Sequence, residues 1–291
     1  MDDPQLWISA IQLGCFFGLL ALSYYVVLSG TGFFNFAVGP YAMVGGLFTS
    51  WLVIEKGFSL WPAVVVALVA AMALAAVTEL IVVRPVQNRS GRNQLPALVA
   101  VTAVLFAIEQ LAGVIFGYTT LPGEQLFNFQ AIEIGSAELL PAALELIIVT
   151  AVVFISMAIW VRITRTGRLL RAVGDNRDAA ALLGLPVNRI RIIAFVLSGL
   201  LAGIAGLLFA TKAGVNSDAG LTWALDGFLA LVIGGTATVW APLVGGMILG
   251  ILQVFIPYYL GGPSLSYSLL ILAIIFFGLR PQGIFARRVR V

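Results

Sequence analysis

Few residues in this chain are able to do chemistry. Glu109, followed by Gln110, lies about 5 Å from the middle of a long apolar run at 1.5 Å rise per residue. A carboxylate at that depth is costly, so it points to contact with a solute or a proton, or to a bonded group that joins neighbouring helices. Asn35 stands in SGTGFFNFAVGPYAMVGG (29–46), among Phe36, Gly39, Pro40, Gly45 and Gly46, and Thr236 follows Gly234 and Gly235 in LVIGGTATVWAPLVGG (231–246). There is no histidine and a single cysteine, Cys15. Disulfide frameworks, histidine-containing metal sites and Ser–His or Cys–His catalysis are therefore excluded. The remaining Asp, Glu and Ser residues are scattered, with no clustered nucleophile and base. Neither an enzymatic centre nor a metal site is expected.

The two glycine- and proline-rich stretches interrupt what should be bilayer, and such backbone is tolerated only where it faces protein or a water-filled cavity. Gly39–Gly46 and Ala241–Gly246 share a small residue, a proline and then Val-Gly-Gly, although their spacing differs by two residues. Interrupted segments at corresponding places in two halves point to a solute route at a repeat interface. The alternative is that the glycines only let helices approach closely.

The elements that must position these residues are membrane helices. With 61% hydrophobic residues, 10% charged residues and a mean hydropathy of +1.06, the chain cannot cover a soluble surface. Apolar runs at Leu6–Leu28, Phe33–Ile54, Leu60–Val83, Gln94–Gly117, Ala142–Val161, Ile192–Ala213, Leu221–Val239, Trp240–Leu260 and Ser264–Gly278 predict an all-α polytopic membrane protein of eight or nine segments, a single transmembrane domain over 1–291. The runs are continuously apolar for about twice the length of a barrel strand. The first lacks a basic flank and a cleavage site, so it reads as a retained span. Every arginine falls at Arg84–Arg92, Arg162–Arg191 or Arg280–Arg290, and the positive-inside rule makes these segments and the C-terminus cytoplasmic. The acidic loop with Glu124, Glu133 and Glu138 is then external. The N-terminus is external if Phe33–Ile54 spans and internal if it is re-entrant. Glu79 falls near the inner end of its span beside the arginines, and Asp226 falls near a solvated outer mouth.

The cytoplasmic segment 162–191 is longer than a connection between spans needs, and such loops are usually functional. Within RAVGDNRDAAALLGLPVNRIR (171–191), Asp178 can cap or charge a helix N-terminus, AAALLG supplies helix formers, and Gly184 with Pro186 is a stop signal. One short amphipathic helix is predicted. It lacks the even Lys/Arg face of a lipid-adsorbing helix, so a protein partner fits better.

Here the sequence resembles a family. The spacing of Asp178, Ala179 and Ala180 with Gly184, flanked by Arg171 and Leu183, is similar to the EAA-G loop by which permease subunits of ABC importers contact cytoplasmic ATPases. GTGFFNFAVGPYAMVGG resembles the "YG…NFAHGE…GAY" signature of branched-chain amino-acid permeases. RPVQNRSGRNQLPALVAVTAVLFAIEQ and the closing GLRPQGIFARRVR resemble further parts of the same family, in family order over nearly the whole chain. Arg84-Pro85 and the short length look like the smaller, LivH-type permease. The resemblance implies a longer LivM-type permease partner, two cytoplasmic ATPase subunits, an external substrate-binding protein, the bacterial inner membrane as location, and no nucleic-acid partner. It also implies that no cofactor is bound by this chain, ATP and magnesium belonging to the ATPases; the chain has no G-x-x-x-x-G-K-[ST] loop. Where the family has Ala-His-Gly-Glu, this chain has Ala37-Val38-Gly39-Pro40, and TATVWAP replaces the common "GGLGSIPGALLGG" course. The family's solutes include hydrophobic amino acids, urea, short amides and aromatic acids. An ion-coupled secondary transporter is the alternative, and it would need mid-span basic residues facing acids, which are absent from the apolar runs.

The topology has a direct check. Single cysteines at Arg168 and Gln282, in a Cys15→Ala background, should resist an impermeant external thiol reagent, and one at Glu124 should react; external labelling at 168 would reverse the assignment.

Overall fold

The computed structural model describes residues 4–90, 94–127, 130–134, 137–262, 264–279 and 283–285. The elements are α1 (Pro4–Thr31), α2 (Val38–Ile54), α3 (Leu60–Val77), a π-helical turn (Thr78–Val83), α4 (Arg84–Ser90), α5 (Leu95–Phe116), β1 (Ile132–Ile134), β2 (Ala137–Leu139), α6 (Pro141–Ile163), α7 (Arg165–Asp175), α8 (Arg177–Leu182), α9 (Val187–Ala213), α10 (Ala219–Gly234), α11 (Ala241–Leu260) and α12 (Ser264–Leu279). The strands form an antiparallel hairpin in the acidic loop, with Glu133 opposite Glu138.

Six stretches among the described residues are long and apolar enough to cross a membrane: Pro4–Thr31, Leu60–Ser90, Leu95–Phe116, Pro141–Ile163, Val187–Ala213 and Ala241–Leu260. The apolar runs at Phe33–Ile54 and Leu221–Val239 do not form whole spans. Their helices, α2 and α10, have 17 and 16 residues, about 25 Å at 1.5 Å per residue, which is less than the ~30 Å hydrocarbon layer. Residues 33–37 are not helical, and α10 ends at Gly234 rather than Val239. Within α2 itself, Gly39–Gly46 run as uninterrupted helix. The break expected among those glycines lies just ahead of them.

The cause is local. α1 ends where Gly32 takes a left-handed φ of +74°, and α9 ends in the same way at Gly214, φ +71°, a conformation glycine adopts without a Cβ penalty. A short non-helical stretch then leads into each short helix.

The helices α1–α2–α3 and α9–α10–α11 pack in repeated fashion. α1 and α9 lie antiparallel, joined by a 2.7 Å contact between the Ser23 and Ser198 hydroxyls. α2 lies on α9 as α10 lies on α1, and α3 lies on α9 as α11 lies on α1. The glycines make this possible. A Cβ at Gly45 would come 2.6 Å from Gly203 Cα on α9, one at Gly227 would come 2.8 Å from Leu20 Cβ on α1, and one at Gly246 would come 2.6 Å from Gly18 Cα on α1. The counterpart of Gly45 is thus Gly227, whereas the shared Val-Gly-Gly had matched α2 with α11. Small residues at such interfaces let backbones approach where lipid supplies no hydrophobic drive. The core is centred on α1, with Leu19, Leu20, Ala21 and Leu22 wholly buried.

A side chain at Gly206, which faces the Ala42 carbonyl of α2, should be the sharpest test of this packing. Gly206→Leu is expected to destabilise the isolated chain by about 3 kcal/mol, read as a lower midpoint of thermal unfolding in detergent. Gly278→Leu, where nothing lies within 4 Å of the added Cβ, should leave the midpoint unchanged.

Candidate solute pathway and docking segment

The two short helices begin against each other. Gly39, the second residue of α2, faces the Gly220 carbonyl and the Ala224 amide near the start of α10, and a Cβ on Gly220 would lie 3.2 Å from Pro40 Cγ. Each helix start carries unpaired N–H groups and partial positive charge, so the apolar interior must supply acceptors. At α2 the Asn35 side chain does so, its Oδ1 accepting from the Ala37 amide at 3.1 Å while its Nδ2 donates to the Tyr41 hydroxyl at 3.3 Å. Pro40, in the first turn, has no N–H to satisfy.

At α10 the acceptor is Glu109, whose Oε1 takes the Leu221 amide at 2.7 Å. The carboxylate reaches across from α5, and it is 7% exposed. Its charge sits where the α10 dipole is positive. The preceding residues 214–218 are tied to the end of α5 and beyond: the Ser217 hydroxyl donates to the Gly117 carbonyl, and Leu121 and Val215 exchange both backbone bonds at 2.9 Å.

The pathway residues named from the sequence therefore form one group and two sets that lie apart from it. Asn35, Gly39, Pro40 and Glu109 come together around the two helix starts. Phe36 packs beside them between Tyr24 and Phe228, at ring centroid distances of 6.4 and 5.2 Å. Gly45 and Gly46 turn to α9. Gly234, Gly235 and Thr236 lie at the far end of α10, roughly 20 Å along its axis, where the Ile284 and Phe285 amides donate to the Ile233 and Gly234 carbonyls at 2.9 and 3.1 Å. Asp226 is half-buried on α10 and accepts from Gln253 Nε2 at 2.8 Å. At the opposite end of α1 a polar cleft of about 220 Å³ is lined by Gln5, Ser9, Gln12, Glu138 and Lys212, among others.

The arginine-rich segment holds two helices, not one. Thr164 caps α7, accepting from the Gly167 amide at 3.0 Å, and Asn176 caps α8, accepting from the Ala179 amide at 2.9 Å. Asn176, ahead of Asp178, thus holds the cap position; the side chain of Asp178 lies outside what is described. α8 stops as its glycine requires, with Gly184 at φ +73°. Ala180 is buried, Ala179 and Arg171 are half-buried, and Leu182 and Leu183 stand 89% and 78% exposed. α7 is seated on the end of α1, where Gly174 meets the Ser29 backbone. Leu182, the more exposed leucine, and Asn176 were not singled out from the sequence, nor was Arg191, which is 1% exposed and forms a bidentate pair with Glu79. The Arg280–Arg290 segment is named from sequence only, since of its residues the structure describes just 283–285.

Comparison with known proteins decides the family. The description "Branched-chain amino acid transport system / permease component" matches residues 7–279. The chain belongs to this permease family. It is 29% identical to the high-affinity branched-chain amino acid transport system permease protein LivH of Salmonella typhimurium, over 97% of this chain and 95% of that protein. The corresponding permease protein BraD of Pseudomonas aeruginosa is 26% identical over the same shares. The ribose import permease protein RbsC of Escherichia coli is 36% identical over 112 residues, 36% of this chain and 35% of its own length. No solved structure matches. The permease is accordingly a multi-pass membrane protein.

The cap at α10 predicts a graded series. Glu109→Gln keeps an acceptor for the Leu221 amide and should unfold close to the wild-type temperature. Glu109→Ala leaves a buried donor unpaired, and a loss of about 1–3 kcal/mol is expected, measured by thermal unfolding in detergent.

Proposed function

We propose that this permease is the transmembrane subunit of an ATP-driven importer for branched-chain or related hydrophobic amino acids. It works beside a longer LivM-type homologue, two cytoplasmic ATPases that hold ATP and magnesium, and an external binding protein, in the bacterial inner membrane with its C-terminus inside. The observation that carries this is the docking segment. Leu182 and Leu183 project from a capped, glycine-stopped helix that is itself anchored to α1 through α7. Two adjacent exposed leucines on a firmly seated segment suit a partner's apolar groove, and force applied there reaches α9 directly, because α9 begins at Val187.

The solute assignment rests on the relatives' names and on the dry character of the helix starts. Where the family pattern carries His and Glu, Val38 and Pro40 are buried, Pro40 against Gly220 of α10, so this region offers backbone and apolar surface rather than charge. That suits solutes with aliphatic side chains. Small amides, urea and aromatic acids stay in the expected range through the family alone. An ion-coupled carrier would have to change the charge of an embedded group during its cycle, whereas Glu109 is engaged as a helix cap.

Proteoliposomes separate the two. With ATPases, partner permease and binding protein present, uptake of leucine should require ATP on the cytoplasmic face, persist with protonophore, and survive Glu109→Gln. Leu182→Glu with Leu183→Glu should abolish ATPase co-purification while leaving the permease folded. Proton-driven uptake by this chain alone, lost in Glu109→Gln, would establish the carrier instead.

A further inference from the structure

Glu79 takes no part in the helix-start cluster, yet it is wholly buried. It lies in the π-helical turn that interrupts the course from α3 to α4. In an α-helix, residues three or four apart share a face and those five apart do not. Here the Arg84 amide bonds to the Glu79 carbonyl, a five-residue step that brings Arg84 beneath Glu79. Such π turns recur where helices carry function.

Two guanidinium groups face this one carboxylate. Arg191, on the second turn of α9, holds both oxygens, with Nε 2.8 Å from Oε1 and Nη2 3.1 Å from Oε2. Arg84 Nε stands 3.5 Å from Oε1, buried and without a hydrogen bond of its own, while its Nη2 donates to the Asn188 carbonyl of α9 at 3.2 Å. The inner arginine is 1% exposed and the outer one 24%. The three groups thus have a second arrangement within reach, in which Arg84 takes the carboxylate and Arg191 moves with α9.

The cluster has neighbours on both sides. Toward the docking segment, Arg191 is a few residues past Pro186. On the other side, the Tyr41 hydroxyl meets the side chain of Thr78, the residue before Glu79, and accepts from Asn35, the residue that organises the start of α2. We infer that Glu79 is the positioning residue that links the docking segment to the start of α2, by exchanging partner between Arg191 and Arg84 as α9 shifts. This rests on the importer reading, in which the ATPases move the docking segment. A contiguous chain of contacts is only a route; the physical warrant is an element with two arrangements that both ends bias, and the carboxylate held between two guanidiniums is the element proposed for that role.

Removing one partner of a buried pair leaves a charge uncompensated, so single neutralisations at Glu79 or Arg191 would report mainly on folding. Replacing both by apolar residues of similar volume avoids that penalty. The test uses the full transporter in proteoliposomes with leucine as solute, comparing Glu79→Leu/Arg191→Met, Arg84→Gln and Arg84→Lys. Three quantities are read: ATPase co-purification, ATP hydrolysis, and leucine moved per ATP. The apolar pair and Arg84→Gln should assemble and hydrolyse ATP, with leucine per ATP falling about tenfold, within the usual range for coupling between sites. Arg84→Lys, which keeps the second cation, should retain coupling. Wild-type leucine per ATP in the apolar pair overturns the inference and leaves the cluster a structural tie. If the apolar pair does not assemble, Arg84→Gln decides by the same criterion. Absence of ATP-dependent uptake in the wild type would count against the importer reading, not against the link.

Discussion

The structure depends on satisfying the N–H groups of helices that start among buried residues. Neighbouring side chains must take them, and each buried unpaired group is expensive. α2 and α10 start next to each other, with their positive ends converging. Everything around these starts answers that demand. Asn35 accepts at one, Glu109 accepts at the other, and Pro40 removes a donor that would otherwise need a partner. The Glu109 carboxylate faces the Leu221 amide and the positive end of α10.

The same constraint explains the glycines. Bringing two helix starts together while keeping the interior dry requires backbones close enough that no cavity opens, and only residues without a side chain allow it. Gly39 against Gly220, Gly45 against Gly203 and Gly246 against Gly18 are such approaches. Large apolar side chains on α5 and α6, among them Val99, Leu111, Val114, Val152 and Ile155, face outward and are available to lipid or to a partner.

Much of this was legible in the sequence, and the remainder was not for a definable reason. Local features came through: the long apolar helices, the helical content between Arg165 and Leu182, and the stop at Gly184 all follow from composition and backbone preference. Apolar periodicity could not show that Phe33–Ile54 begins with a non-helical stretch, because Phe33, Phe34 and Phe36 are as apolar as the helix that follows. The roles of Glu109 and Glu79 were hidden for another reason. Each finds its partner, Leu221 or Arg191, 112 positions away, and nothing in spacing announces a pairing fixed only when α9 and α10 return to the π turn and to α5. The internal repeat was misaligned because Val-Gly-Gly occurs in α2 and α11, whereas the real correspondence rests on left-handed glycines at Gly32 and Gly214, each ahead of a short helix.

A close-packed interior of this kind shifts between discrete arrangements instead of deforming smoothly. The glycine contacts between α1, α2, α9, α10 and α11 leave no slack for one helix to slide alone, since a displacement of one backbone meets another backbone within a fraction of its diameter. Movement delivered to α9 must then be taken up where the contacts are polar and exchangeable, or where the helix is already irregular. The π turn at Thr78–Val83 and the carboxylate inside it satisfy both conditions at the place where α9 meets α3, while the glycine-packed layer above transmits the displacement as a rigid unit. Stiffness in the core and a yielding joint are therefore complementary: in the importer proposed above, the first would carry a small push at Leu182 and Leu183, and the second would set where it becomes a change at the start of α2.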